Sequence, residues 1–331
     1  MSRYLGRRLL QMIPLVVGLS VVVFMLQVAA PGDPVDLLIF GNPRIRAEDI
    51  ARLKHHYGLD QPIYVRYFKW ARAAVQGDLG YSRTYKQPVL SLMWSRVGNS
   101  LWLQIPAFLL ALGVAVPVGI YSARRQYSTL DYGATFFTFF GVSIPAFWFG
   151  IMMIYLFAVW HPWTALPFLG WLKLPAGGFS TPGVAEGLPR YIDRLRYMIL
   201  PTVVLSLLFM ASYTRFTRSS MLEVIRQDYV RTARAKGLSE MTVINKHALR
   251  NALIPLVTII ALSIPALFAG APLTETVFGW PGVGRLLVDS VLGADFAVAQ
   301  GIIIFLAGLV IVFNLLADIS YALLDPRIRY D

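Results

Sequence analysis

Arg218-Ser219-Ser220-Met221-Leu222-Glu223-Val224-Ile225-Arg226-Gln227-Asp228-Tyr229-Val230-Arg231-Thr232-Ala233-Arg234-Ala235-Lys236-Gly237-Leu238-Ser239 runs on through His247-Ala248-Leu249-Arg250-Asn251 to Pro255. It is the one long, highly charged, helix-prone segment lying between two apolar runs long enough to cross a bilayer, Tyr197–Thr214 and Ile254–Leu273. A charged segment between two spans has to lie outside the hydrocarbon. The rest of the chain reads as membrane structure around it.

Composition supports that placement. The 331 residues are 56% hydrophobic and 15% charged, whereas about a quarter of the residues in a soluble domain are charged. There is no cysteine, which excludes disulfides and thiolate metal sites. The net charge is +12. The basic residues stand beside the apolar runs, which fits membrane orientation and anionic headgroups rather than nucleic acid as a partner.

In order, Leu9–Ala30 is a first span. It is longer than the roughly 7–15 residues of a signal h-region and is read as a retained helix, despite Arg7-Arg8 before it and Val28-Ala29-Ala30 at its end. Residues 31–99 form an extracytoplasmic excursion with a Pro31-Gly32-Asp33-Pro34 turn, helix-like stretches at Arg46–His56, Ile63–Val75 and Val89–Val97, and a Gly77-Asp78-Leu79-Gly80 break. The pattern predicts a small folded cap, with Tyr64, Tyr67, Phe68 and Trp70 as its docking or substrate-handling surface. Further spans are predicted at about 100–123, 132–160 (broken at Ser143-Ile144-Pro145-Ala146), 197–214, 254–273 and 298–324. The expected fold is an all-α polytopic membrane protein with six transmembrane helices. Residues 1–30 form the N-terminal end and first helix, 95–324 the main transmembrane domain, and 215–253 a cytoplasmic loop within it. Glu275–Ala297 reads as a loop.

Orientation follows from lysine and arginine placement. Arg3, Arg7, Arg8, Arg124, Arg125, the Arg215–Arg250 loop, Arg327 and Arg329 fall on one side. Apart from the long 31–99 excursion, which such counts exclude, only Lys173, Arg190, Arg194, Arg196 and Arg285 fall on the other. Both termini and the loop are therefore expected in the cytoplasm.

No catalytic or nucleotide site is legible. G-x-x-x-x-G-K-[ST] is absent, and Lys236-Gly237-Leu238-Ser239 has the wrong order. Gly279–Arg285 is glycine-rich but lacks the Lys-Ser/Thr step, and reads as a tight turn. His55, His56, His161 and His247 lack metal-ligand spacing. Asn314 and Asp318 share a helix face and read either as an ion relay or as a helix-end polar cluster. The spans supply no further midplane acids to complete a relay. A stand-alone secondary transporter or channel is the rival reading, and would need such a site.

The loop itself predicts helix, corner, helix. Ser219–Lys236 lacks proline and glycine, Gly237 sits at a C-cap, and Ser239 is an N-cap for a second helix, Glu240–Leu249. Met221, Leu222, Ile225, Tyr229 and Val230 would share one apolar side of the first helix, and Val243, Ile244 and Ala248 one side of the second. Arg226, Arg231, Arg234 and Lys236 supply charge for an acidic groove. The physics leaves open whether this is a lever gripped by a partner or an ordinary solvated loop.

At this stretch the chain resembles the membrane subunits of ABC importers, specifically the B-type permease of the dipeptide/oligopeptide/nickel family. The resemblance is carried by Asp228-Tyr229-Val230-Arg231-Thr232-Ala233-Arg234-Ala235-Lys236-Gly237 and His247-Ala248-Leu249-Arg250-Asn251-Ala252. It extends to Arg7-Arg8-Leu9, Pro31–Pro34, Gly77–Gly80, Glu275-Thr276-Val277-Phe278, Trp280-Pro281-Gly282 and Leu324–Arg329. Arg231-Thr232-Ala233 stand where the wider importer class has Glu-Ala-Ala. The resemblance implies a type I importer fold in the bacterial inner membrane, a second homologous permease subunit, two cytoplasmic ATPase subunits and an extracytoplasmic solute-binding protein. No cofactor would be bound by this chain; ATP and Mg would reside in the ATPase subunits. The coupling residues implied are Tyr229, Arg231, Thr232, Ala233, Arg234, Ala235, Lys236, Gly237, Leu238 and Ser239.

Overall fold

A computed structural model describes residues 2–29, 47–56, 58–162, 170 and 172–324. The helices are α1 (Ser2–Ala29), α2 (Ala47–His56), α3 (Ile63–Val75), α4 (Val89–Arg124), α5 (Thr129–Ser143), α6 (Ala146–Ile154), α7 (Leu188–Ile225), α8 (Asp228–Ala235), α9 (Leu249–Ala269), α10 (Pro272–Val277), α11 (Val283–Leu292) and α12 (Phe296–Leu324). Wide i→i+5 turns extend α6 over Tyr155–Trp160 and lead into α9 over Val243–Ala248. Among the described residues the only extended pairing is an isolated bridge between Tyr81 and Pro88.

Among the described residues, five helical stretches are long and apolar enough to cross a membrane, and the bent pair α5–α6 makes up to six. Their outward faces carry Leu10, Ile13 and Leu26 on α1, Leu109 on α4, and Phe136 and Phe139 on α5, all exposed. Lipid contact accounts for that pattern, since tails are as apolar as these side chains. The prolines inside α1, α4, α7 and α9 (Pro14, Pro106, Pro117, Pro201, Pro255 and Pro265) are tolerated for a related reason: neighbouring helices can satisfy the freed carbonyls.

The chain divides into two compact units, residues 1–95 with 287–331, and residues 96–286. In the first, α12 packs along α1 and α3 packs on α1. Tyr67 and Trp70 of α3 lie 5.5 and 5.7 Å from the Phe24 ring, and the Tyr67 hydroxyl lies 2.8 Å from Ser20 Oγ. Buried Asp295 accepts from Ser82 Oγ (2.7 Å) and from the Thr84 backbone N–H (3.0 Å), tying the turn before α4 to the start of α12.

In the second unit α7 is the axis. It packs against α5, α6, α9 and α10 and then feeds the charged loop. Phe108, Tyr213, Leu256 and Leu267 form one buried cluster along it. Leu103, Ala107, Met198, Leu205 and Trp280 form another, and Leu174, Leu200, Val204 and Phe278 a third.

Several expectations need correction. The spans expected at 100–123 and 197–214 are only the apolar middles of α4 and α7, which have 36 and 38 residues. At about 1.5 Å per residue each exceeds a hydrocarbon core of about 30 Å, so helix continues through polar sequence that hydropathy does not read as a span. The third span does break where expected, between Ser143 and Ala146. Extended Ile144 and Pro145, the latter without an N–H, split it, and its halves meet at 101°. The stretch expected as a loop, Glu275–Ala297, contains the end of α10 and all of α11. The expected helix Ser219–Lys236 is two helices, broken at Arg226 and an extended Gln227. A continuous helix would carry the Met221–Ile225 stripe on to Tyr229 and Thr232. The buried residues are instead Val230 and Ala233, one position later, so the backbone must break to bury them. The Pro31–Pro34 turn, the ending from Asp325 to Arg329 and the Asp318 side chain lie outside the described residues.

Candidate functional site

The corner is built locally. α8 ends with Lys236 as its C-cap, and Gly237 follows at φ +74°, a left-handed conformation that side chains on an L-residue disfavour. Ser239 then starts the next helical turn. Its Oγ accepts from the Thr242 N–H (3.4 Å) and lies 2.9 Å from Thr242 Oγ1. Across the corner Arg234 grips Glu240 with two hydrogen bonds, Nη2 to Oε1 at 2.9 Å and Nε to Oε2 at 3.1 Å. That hydrogen-bonding holds the Arg234 guanidinium above its ordinary pKa. Arg231 pairs with Asp228 at 3.6 Å on the surface, a contact of little energetic weight.

The inner side of the corner is apolar. Val230, Ala233, Val243, Ile244 and Ala248 are buried with Met221, Ala123 and Ala252, which joins the corner to the ends of α4, α7 and α9. Ser220 Oγ adds a 2.7 Å hydrogen bond to the Ala252 carbonyl. Of the residues singled out, Tyr229, Arg231, Thr232, Arg234, Ala235, Lys236, Gly237, Leu238 and Ser239 are exposed, and Ala233 is buried. Ala233 therefore fixes the corner from beneath, while the others are presented outward. Tyr229 does not join the apolar side; it is 42% exposed.

Two buried carboxylates to which sequence reading gave no role brace this unit. Asp131, in the first turn of α5, receives Arg218 of α7 in a two-pronged ion pair, Nε at 2.7 Å and Nη2 at 2.9 Å. Ser122 Oγ and the Tyr127 N–H (3.0 Å) also donate to it, so one side chain ties α4, its following turn and α5 to the helix that feeds the corner. The local signal was Ser128-x-x-Asp131, a capping pattern in which the Asp131 N–H donates to Ser128 Oγ.

Glu275 of α10 is wholly buried. Its Oε1 accepts from Ser100 Oγ (2.7 Å) and the Ala271 N–H (3.2 Å), and its Oε2 from the Arg285 N–H (2.9 Å). Ser100 Oγ also accepts from the Val283 N–H at 2.8 Å. Beside it Trp280 Nε1 donates to the Asn99 carbonyl at 2.8 Å, and Asn99 Nδ2 to the Pro281 carbonyl at 3.0 Å. Gly279 does supply positive φ (+62°), as a tight turn requires. Gly282 has a different reason: a Cβ there would collide with the Glu275 carboxylate. On α3, Tyr64 and Phe68 are exposed, whereas Tyr67 and Trp70 face α1, so only half of the expected aromatic surface is free.

Membrane-length helices, a span bent at a Ser-Ile-Pro-Ala break, and a charged corner braced by the ends of three helices make an all-α polytopic membrane protein, and the family match identifies it as a permease of the type I ABC importer class. The sequence comparisons agree in detail. Residues 115–330 match the family described as "Binding-protein-dependent transport system inner membrane component", and residues 1–104 match "Binding-prot-dependent transport system membrane comp, N-term". The chain belongs to this family of binding-protein-dependent importer permeases, in its B-type branch. It is similar to the oligopeptide transport system permease protein AppB of Bacillus subtilis, 44% identical with all of both chains covered. It is similar also to the di/tripeptide permease DppB of Pseudomonas aeruginosa and the dipeptide permease DppB of Escherichia coli K12. Each is 40% identical, over 100% of this chain and 99% of the relative.

Proposed function

We propose that the chain is one of two homologous permease subunits that enclose the translocation path of a peptide importer in the bacterial inner membrane. Two ATPase subunits, holding ATP and Mg, grip the corner at Gly237 and drive it, while a solute-binding protein delivers peptide at the opposite face. Both termini lie on the ATPase side, as the placement of Arg124, Arg125 and the Arg215–Arg250 loop supports. The names of the similar proteins, all peptide permeases, support the solute class.

The observation that carries this reading is the two-sided construction of the corner. Its outer side offers Arg231, Lys236, Leu238 and Ser239 to a partner. Its inner side is packed into the ends of α4, α7 and α9, and Arg234–Glu240 clamps it across the turn. Close-packed interiors transmit displacement rather than absorb it, so moving the corner moves three helix ends together. The partner has to contact the corner differently in its open and closed states, since only differential contact shifts an equilibrium. The exposed Tyr64 and Phe68 of α3 are the part of the 31–99 segment offered to the binding protein.

Reconstituted uptake tests this. Peptide accumulation in proteoliposomes is expected only when the second permease, the ATPase subunits and ATP are present. Uptake by this chain alone along an ion gradient would overturn the proposal in favour of a stand-alone transporter.

A further inference from the structure

Two adjoining cavities lie where α4, α5 and α7 come together near the corner. The larger, about 590 Å³, is lined by apolar side chains that include Val114, Val118, Leu130, Phe137 and Met210. Its volume is within the roughly 300–1,000 Å³ of ordinary ligand sites. Thr138 lines it too, but its hydroxyl is committed to the Ala134 carbonyl at 2.8 Å. The smaller, about 330 Å³, shares Ala134, Thr138 and Thr214 with the first and is polar at its far end, with Thr135, Arg215, Arg218 and Ser219.

The charge balance there is uneven. Arg218 is neutralised by Asp131 through both Nε and Nη2. Arg215 lies 5.7 Å from the Phe216 ring centroid and makes no ion pair among the described residues, so the polar lobe carries net positive charge. An apolar slot opening into a cationic, hydroxyl-lined lobe, on helices of membrane-spanning length, matches one chemistry: an acyl chain joined to a phosphate headgroup.

We infer that this double cavity is a binding site for an anionic phospholipid. An acyl chain occupies the apolar lobe, and the phosphate sits between Arg215 and the hydroxyls of Thr135 and Ser219. The lipid would wedge α5 against α7 beside the Asp131–Arg218 pair. The inference rests on the membrane spans and not on the peptide-importer reading.

Native mass spectrometry of the assembled transporter tests it, with 1-palmitoyl-2-oleoyl phosphatidylglycerol competed against the phosphatidylcholine of the same chains. Wild type is expected to prefer phosphatidylglycerol by about fivefold, the factor that one arginine near an anionic surface supplies at about 1 kcal/mol. Arg215→Gln is expected to abolish the preference and Arg215→Lys to keep it, which separates charge from folding. Ala134→Phe, which fills the shared wall, is expected to release both lipids. The inference is overturned if Arg215→Gln keeps the preference or Ala134→Phe leaves bound lipid unchanged. It is equally overturned if Thr135→Cys cross-links to another protein subunit, because the groove would then be a subunit interface.

Discussion

Replacing Glu275 tests the most tightly built part of the second unit. The carboxylate is wholly buried and takes hydrogen bonds from Ser100 Oγ, the Ala271 N–H and the Arg285 N–H. Glu275→Gln keeps the shape. Its carbonyl oxygen can occupy the Oε1 position and satisfy Ser100 and Ala271, which leaves the amide nitrogen facing the Arg285 N–H, donor against donor. One buried donor without a partner costs about 1–3 kcal/mol. Glu275→Ala strands all three donors, and partial entry of water brings the sum to about 3–6 kcal/mol. With about 2–4 °C per kcal/mol for a unit of this size, the glutamine variant should melt about 2–12 °C below wild type, and the alanine variant lower still. Thermal unfolding in detergent can be followed by tryptophan fluorescence, to which Trp280, hydrogen-bonded to the Asn99 carbonyl beside this cluster, contributes as one of the chain's eight tryptophans. A glutamine variant as stable as wild type, or an alanine variant no worse than glutamine, would refute the assigned hydrogen bonds.

Arg218→Met leaves Asp131 buried without its cation and should destabilise by about 3–5 kcal/mol, whereas the double variant with Asp131→Asn should recover much of the loss; thermal unfolding of both distinguishes an ion pair from mere packing. Gly237→Asp places an L-residue at φ +74° at a cost of about 1–2 kcal/mol, where its side chain meets no neighbour. Insertion should therefore survive while ATP hydrolysis is released from uptake, and normal uptake in a paired hydrolysis and transport assay would count against the coupling role.

What was legible in the sequence was local. Gly237, Ser239 and the apolar set Val243, Ile244 and Ala248 announce themselves within one or two helical turns, and the structure places them as their residue types require. The Ser143–Ala146 break is local as well, although its 101° angle is not. The roles of the two bracing carboxylates were not legible for the opposite reason. Asp131 meets Arg218 across 87 residues and Glu275 meets Ser100 across 175, and no short pattern records such pairings. The break at Gln227 was hidden because no glycine or proline marks it; it comes from a one-residue shift in which side chains are buried. Tyr67 and Trp70 looked like surface because an aromatic, basic helix reads the same whether it faces a partner or an adjacent span.

The chain contains no cysteine, so a single introduced thiol reports on one position alone. Under the proposed function an ATPase subunit grips the exposed corner. The most direct measurement is cross-linking from Lys236→Cys in the assembled transporter, with Val75→Cys on α3 as the comparison site. A nucleotide-dependent adduct is expected between Lys236→Cys and an ATPase subunit, and none from Val75→Cys. An adduct to the solute-binding protein, or no adduct in any nucleotide state while transport is intact, would contradict it.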